Sequence, residues 1–198
     1  MAETNEYVEK LKKYADAVGG TFHYSNQGTK SMVRVAWNRV KIEIPHSSTT
    51  IYFVAYSGNN STDTYSGFFA STKLSSAISC KISRKDPLDK VFTIFKKKQI
   101  KTNQPGFDKM FSVSASNTAI VRQLSGKKQI RKFFELNLNP PLQFEISNNE
   151  KGYINSKSEK TNLVTLKSNR WMVDHKELNT LLDGFKIILE ELNGTPDF

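Results

Sequence analysis

Cysteine is almost missing from this sequence: Cys80 is the single one among 198 residues. An internal disulfide is therefore excluded, and the alternation of Cys80 with Ile78 and Ile82 predicts a small buried side chain rather than a nucleophile. No apolar run approaches the roughly 18 residues that a membrane-spanning helix needs. The first residues are acidic and lack the apolar segment of a secretory signal, so we expect a cytoplasmic protein.

Sequence motifs for catalysis, metal binding and cofactor binding are also missing. The three histidines, His23, His46 and His175, do not have metal-ligand spacing with one another or with Cys80. No glycine-rich loop of the kind that cradles phosphate groups occurs. The sequence therefore predicts no catalytic residue, no metal site and no cofactor.

Positive charge is abundant and unevenly distributed along the chain. The net charge is +10. Residues 81–132 hold 14 of the 29 Lys and Arg residues but only 3 of the 19 acidic residues, which leaves a net charge of +11 in that segment. The rest of the chain is nearly neutral, so any function that depends on charge is expected within 81–132.

Hydrophobic periodicity predicts both helices and strands. Val40, Ile42 and Ile44 alternate with charged residues, as in an antiparallel strand with one solvated face. Asp174 and Glu177 resemble a capping box ahead of a leucine-rich helical stripe. The helices are predicted at 4–18, 87–98, 117–124, 127–136 and 174–193. The strands are predicted at 21–25, 32–37, 40–44, 50–56, 65–70, 74–82, 107–113, 142–146, 153–155 and 162–166.

Runs of strands followed by helices, rather than alternating strands and helices, indicate an α+β fold. We expect a single domain over 1–198, with 1–104 and 105–198 as alternative subdomains. A largely antiparallel meander from 21–82 should pack against helices, and 107–167 should add a second, smaller sheet within a β-α-β-β-β-α portion. The predicted core comprises Leu11, Phe53, Val91, Phe95, Phe111, Val113, Leu181, Phe185 and Ile188.

One short segment, Phe107-Asp108-x-x-Phe111-x-Val113, resembles a bacterial family of uncharacterised domains. In that family, phenylalanine and aspartate at similar places precede a strand, a helix, a small sheet and a final helix. The resemblance implies an α+β domain with no assigned activity. Members of the family often carry transmembrane helices beside the domain, and this sequence shows none.

The basic residues suggest an anionic partner. They fall into two groups, one at the end of the helix at 87–98 and the other on the polar side of the helix at 127–136. The residues are Lys96, Lys97, Lys98 and Lys101, then Lys127, Lys128, Arg131 and Lys132. A run of charged residues is usually only a solvated face, and that interpretation stays open. The alternatives are that the residues bind an acidic protein, an anionic membrane surface or nucleic acid. Because the segment is rich in Lys rather than Arg, we do not expect sequence-specific binding of nucleic acid. The sequence does not indicate an oligomeric state.

The alternative is a small-molecule binder or an enzyme whose pocket is not visible as a motif. Trp37, Tyr52 and Asp108 are the candidate lining residues. Asp108 has a simpler interpretation as a backbone acceptor at the start of a strand. The leading hypothesis is thus a non-enzymatic binding or scaffold module that uses the surface of 81–132.

Overall fold

The computed structural model describes residues 2–27, 37–58, 64–72, 78–85, 100–147 and 162–194. Within these residues, eight strands and five helices confirm the α+β class. The strands are β1 (Thr21–Gln27), β2 (Trp37–His46), β3 (Thr49–Ser57), β4 (Tyr65–Thr72), β5 (Cys80–Arg84), β6 (Phe111–Ala115), β7 (Gln143–Ser147) and β8 (Asn162–Ser168). The helices are α1 (Ala2–Ala17), α2 (Pro105–Met110), α3 (Thr118–Gly126), α4 (Lys128–Asn137) and α5 (His175–Asn193). The predicted helix at 87–98, the strand at 153–155 and most of the strand at 32–37 lie outside the described residues.

All eight strands form one antiparallel sheet in the order β1-β2-β3-β4-β8-β7-β5-β6. The prediction of a second sheet from 107–167 was therefore wrong. The reason is β8, which pairs with β4 through Phe68 and Leu166 and with β7 on its other side. Because β8 is buried along nearly its whole length, it needs a neighbour at each edge. It joins the N-terminal meander to the later strands.

The main core lies between one face of this sheet and the helices. In β2, Val40, Ile42 and Ile44 are buried while the intervening residues are partly exposed, which is the predicted alternation. Side chains of α1, α2, α3, α4 and α5 complete the same cluster. Seven of the predicted core residues are buried, namely Leu11, Phe53, Phe111, Val113, Leu181, Phe185 and Ile188. Val91 and Phe95 fall outside the described residues.

The segment at 107–113 is not one strand as predicted. Pro105 starts the short helix α2, and the Asp108 N–H donates to the Gln104 carbonyl at 2.9 Å. Proline suits the first helical position because it has no N–H to leave unpaired there. The strand β6 begins only at Phe111, which pairs with Arg84 of β5.

The helices that follow begin and end where local chemistry predicts. The Asn117 side chain accepts the Ala119 N–H at 2.8 Å and caps α3. The break predicted at Ser125-Gly126 is present, since α3 ends at Gly126 and Lys127 is extended before α4. Asp174 caps α5 by accepting the Glu177 N–H at 2.8 Å.

Candidate functional site

Helix α4 divides into a buried side and an exposed side. Ile130 and Phe134 are buried at a spacing of four residues, and they fix which side of the helix faces the core. Lys128, Lys132 and Leu136 have the same spacing on the opposite side, and all three are exposed. We call these three residues the α4 stripe. With a rise of about 1.5 Å per residue, neighbouring members of the stripe stand roughly 6 Å apart along the axis.

Two of the predicted cationic residues have internal partners. The Arg131 Nη1 donates to the carbonyl oxygens of Ser125 at 2.6 Å and Gly126 at 2.8 Å, so this side chain satisfies the C-terminal end of α3. The Lys127 ammonium lies 3.1 Å from the Glu191 carboxylate of α5. Arg131 and Lys127 therefore help hold α3, α4 and α5 together.

The other two cationic residues of α4 remain available. Lys128 and Lys132 form no ion pair with any acidic side chain in the described part of the chain. Both are exposed, and they lie one helical turn apart. Two like charges at this spacing repel each other slightly, which an anion placed between them would relieve. Lys128 and Lys132 are thus exposed cationic residues of the predicted basic surface that can receive an anionic partner.

A cavity of about 460 Å³ opens where α4 ends and α5 begins. Leu136 lies at its lining, together with the loop at Pro140-Pro141 and residues that lead into α5. Leu136 is 64% exposed, and the other exposed large hydrophobic side chain among the described residues is Tyr24 at 38%. The cavity therefore continues the α4 stripe into a partly apolar recess.

The charged groups of the cavity largely compensate one another. Arg170 forms a close ion pair with Glu177, and Asp174 serves as the cap of α5. Ser168, at the end of β8, is only 2% exposed and its hydroxyl has no hydrogen-bond partner. A buried hydroxyl without a partner costs free energy, and Ser168 is among the residues that line the recess.

The remaining predicted basic residues are elsewhere. Lys96, Lys97 and Lys98 lie outside the described residues. Lys101 is exposed and precedes Thr102, which contacts Asp108 rather than α4. The described structure therefore brings together only the second of the two predicted groups, that of Lys127, Lys128, Arg131 and Lys132.

Trp37, Tyr52 and Asp108 do not converge. Trp37 stacks on Tyr56 with ring centroids 6.4 Å apart, and Tyr52 lies on the same face of the sheet with the Lys41 ammonium 5.8 Å from its ring centre. Asp108 precedes β6, five strands away from β3, which is roughly 24 Å at the usual strand separation. These residues do not form the predicted pocket.

Asp108 has the simpler role foreseen for it. Its carboxylate accepts hydrogen bonds from the backbone N–H and the hydroxyl of Thr102, at 2.9 Å and 2.8 Å from Oδ1. Thr102 is buried, so both donors would otherwise lack a partner. Asp108 thereby fixes the chain just before α2.

The described residues contain no cluster of His, Cys, Asp and Glu that could hold a metal ion. Cys80 is buried in β5, and burial together with the nearby Glu145 carboxylate raises the pKa of its thiol to about 12. The thiol therefore stays protonated near neutral pH. His175 hydrogen-bonds to the Lys10 carbonyl at 2.9 Å, a contact that ties α5 to α1.

The cavity was missed from the sequence. Its walls come from two segments, 136–142 and 168–181, and nothing local in either indicates that they meet. One signal was visible: Leu136 follows Lys132 by four residues, which places an apolar side chain on the polar side of a predicted helix.

Comparison with protein-family models, with curated proteins and with solved structures finds no match for this chain. Membership of the family that the Phe107–Val113 segment resembles stays a prediction. Across the described residues, no helix is both long and apolar enough to cross a membrane.

Proposed function

We propose that this protein is a non-catalytic binding module that contacts an anionic partner through the basic surface of 81–132. The observation that carries the proposal is the pair Lys128 and Lys132, exposed one turn apart with no acidic partner among the described residues. Lys127 and Arg131 hold the helices in place while this pair faces solvent.

The surrounding charge favours the same conclusion. The described residues of 81–132 include ten Lys and Arg and a single acidic residue, Asp108. Asp108 thus places one negative charge against ten positive ones in these residues. A surface of one sign raises the local concentration of oppositely charged partners, and salt weakens this effect over a Debye length of about 8 Å.

Charge reversal on α4 tests the proposal. Lys128→Glu combined with Lys132→Glu should weaken binding of a poly-glutamate peptide by about ten-fold or more. Each exposed ion pair between a lysine and the peptide contributes roughly 0.2–1 kcal/mol, and charge reversal adds repulsion. The matched control is Lys12→Glu with Lys13→Glu, which makes the same change in net charge on the exposed side of α1. Fluorescence anisotropy at low and high salt gives the affinities. Equal losses in both double variants, or no binding by the natural protein to any anionic probe, would reject the proposal.

A competition series identifies the class of partner. Duplex DNA, vesicles rich in anionic lipid and an acidic protein should each be compared as competitors of the labelled peptide. We expect DNA binding to be weak and independent of base sequence, because base recognition relies mainly on Arg, Asn and Gln side chains in a groove. Tight, salt-resistant binding to one DNA sequence would contradict this expectation.

A second candidate function is the binding of a small molecule in the cavity between α4 and α5. Its volume of about 460 Å³ falls within the range of roughly 300–1,000 Å³ that is usual for ligand sites. The unpartnered Ser168 hydroxyl is the specific observation in its favour. A thermal-shift screen against metabolites and nucleotides tests it, since a ligand at about 100 times its Kd adds roughly 2.7 kcal/mol to the free energy of unfolding. No shift across a broad library would count against this function.

A further inference from the structure

The α4 stripe is continuous with the cavity, and this continuity bears on what the partner is. Lys128 and Lys132 are succeeded on the same side of α4 by Leu136, which lies at the cavity lining. A partner that contacts both lysines is thereby brought within about 6 Å of an apolar recess. Two cationic positions followed by one apolar position form a three-part pattern.

The recess has one apolar side, where an uncharged apolar group can pack. Leu136, Pro140, Pro141 and Leu142 provide apolar surface on the side of α4. On the side of α5, the Glu177 carboxylate is paired with Arg170. The Asp174 carboxylate and the Lys176 ammonium bring one charge of each sign to the lining, so no net negative charge opposes an acidic segment. An exposed leucine beside such a recess gains from being covered, since burial of apolar area contributes about 25 cal/mol per Å².

The spacing of the pattern matches a polypeptide. Positions roughly 6 Å apart coincide with every second residue of an extended chain, at about 3.3 Å per residue, or with every fourth residue of a helix. A polypeptide can place acidic side chains opposite Lys128 and Lys132 and an apolar side chain opposite Leu136. A phosphate backbone carries charges but no apolar side chain for the recess.

We infer that the partner is an acidic segment of another protein that carries an apolar anchor residue. Two acidic residues contact Lys128 and Lys132, and the anchor enters the cavity beside Leu136. This inference rests on the proposed function and makes it more specific. The segment has the order acidic-x-acidic-x-apolar if it is extended, or the same three residues four positions apart if it is helical.

Labelled synthetic peptides test the inference on the full chain. The extended probe has the order Glu-Ser-Glu-Ser-Phe, and the helical probe places two glutamates and a phenylalanine four positions apart. Each is made in both chain directions and with alanine in place of phenylalanine. For at least one probe, the phenylalanine peptide should bind at least about five-fold more tightly than the matching alanine peptide, because one aromatic side chain becomes partly buried.

Two variants locate the anchor. Leu136→Ser should remove the advantage of the phenylalanine peptide over the alanine peptide. Because Leu136 is 64% exposed, this change should not unfold the protein. The control Tyr24→Ser removes an exposed large hydrophobic side chain on β1 and should leave the advantage intact.

The outcomes separate the two proposals. If the alanine and phenylalanine peptides bind equally and both depend on Lys128 and Lys132, the anchor is refuted and the basic binding surface stands. An advantage for phenylalanine that survives in Leu136→Ser also refutes the anchor at this place. Binding of DNA or vesicles through the two lysines without binding of any peptide refutes the polypeptide partner alone. If no probe binds through the two lysines, the proposed function fails as well.

Discussion

The Asp108 carboxylate accepts both hydrogen-bond donors of Thr102, the backbone N–H at 2.9 Å and the hydroxyl at 2.8 Å. We predict that Asp108→Ala lowers the free energy of unfolding by about 1–3 kcal/mol, because two donors of a buried residue lose their acceptor. Asp108→Asn retains an acceptor oxygen and should cost less. Urea unfolding measures both. Unchanged stability of Asp108→Ala would show that this contact is not structural.

Arg131 and Lys132 are neighbours on α4 with different roles. Arg131→Ala should lower the free energy of unfolding by about 1–2 kcal/mol, since it removes charged donors from the carbonyl oxygens of Ser125 and Gly126. Lys132→Ala should change it by less than about 0.5 kcal/mol, as is usual for an exposed residue without partners. Thermal or urea unfolding distinguishes them. The reverse order of the two effects would show that Arg131 is not the structural residue of this pair.

Local chemistry made part of this structure predictable. The alternation at Val40, Ile42 and Ile44 and the cap at Asp174 act within a few residues, so the sequence displays them directly. The segment at 107–113 was predicted wrongly as one strand. Phe111 and Val113 do alternate in a strand, but the helix before them is too short to show a helical period. Short apolar segments of this kind are ambiguous by pattern alone.

Contacts between distant parts of the chain were not predictable. The pairing of β4 with β8 joins residues about 100 positions apart, and it decides between one sheet and two. The cavity likewise depends on how Leu136 meets the start of α5. The basic character of α4 was visible in the sequence. Which of its cationic residues have partners was not visible, because those partners are Glu191 of α5 and the carbonyl oxygens at the end of α3.

Gly184 of α5 allows α4 to approach closely. A Cβ atom at this position would lie 2.1 Å from the Phe133 ring, far inside contact distance. Gly184→Ala should therefore lower the free energy of unfolding by about 1–3 kcal/mol through overpacking. Phe133→Leu in the same chain should relieve part of this cost, so the double variant should be more stable than the sum of the single effects predicts. Strictly additive effects in a double-mutant cycle would contradict the contact.

The pH dependence of stability should report the burial of Cys80. Its pKa is raised from 9.0 to about 12 in the folded protein, chiefly by burial. The folded state therefore holds its proton more tightly than the unfolded state does. The resulting stabilisation is complete below pH 9 and is lost as the pH rises towards 12.

Comparison with Cys80→Ala isolates this effect from other groups that titrate in alkali. The difference in free energy of unfolding between the natural protein and the variant should shrink between pH 9 and pH 12. In the native state the thiol should also resist alkylation at neutral pH and react after unfolding. Rapid alkylation of the folded protein would show that Cys80 is accessible.

Mapping where an anionic partner contacts the protein tests the α4 binding surface most directly. Isotope-labelled protein is titrated with the poly-glutamate peptide while the amide resonances are followed by nuclear magnetic resonance. Saturable shifts should concentrate at 128–136 and diminish as salt is added, because exposed charges are screened over about 8 Å at physiological ionic strength. Shifts centred on another surface, such as that around Lys12 and Lys13 of α1, or no shifts on α4, would contradict the claim that the α4 stripe is the binding site.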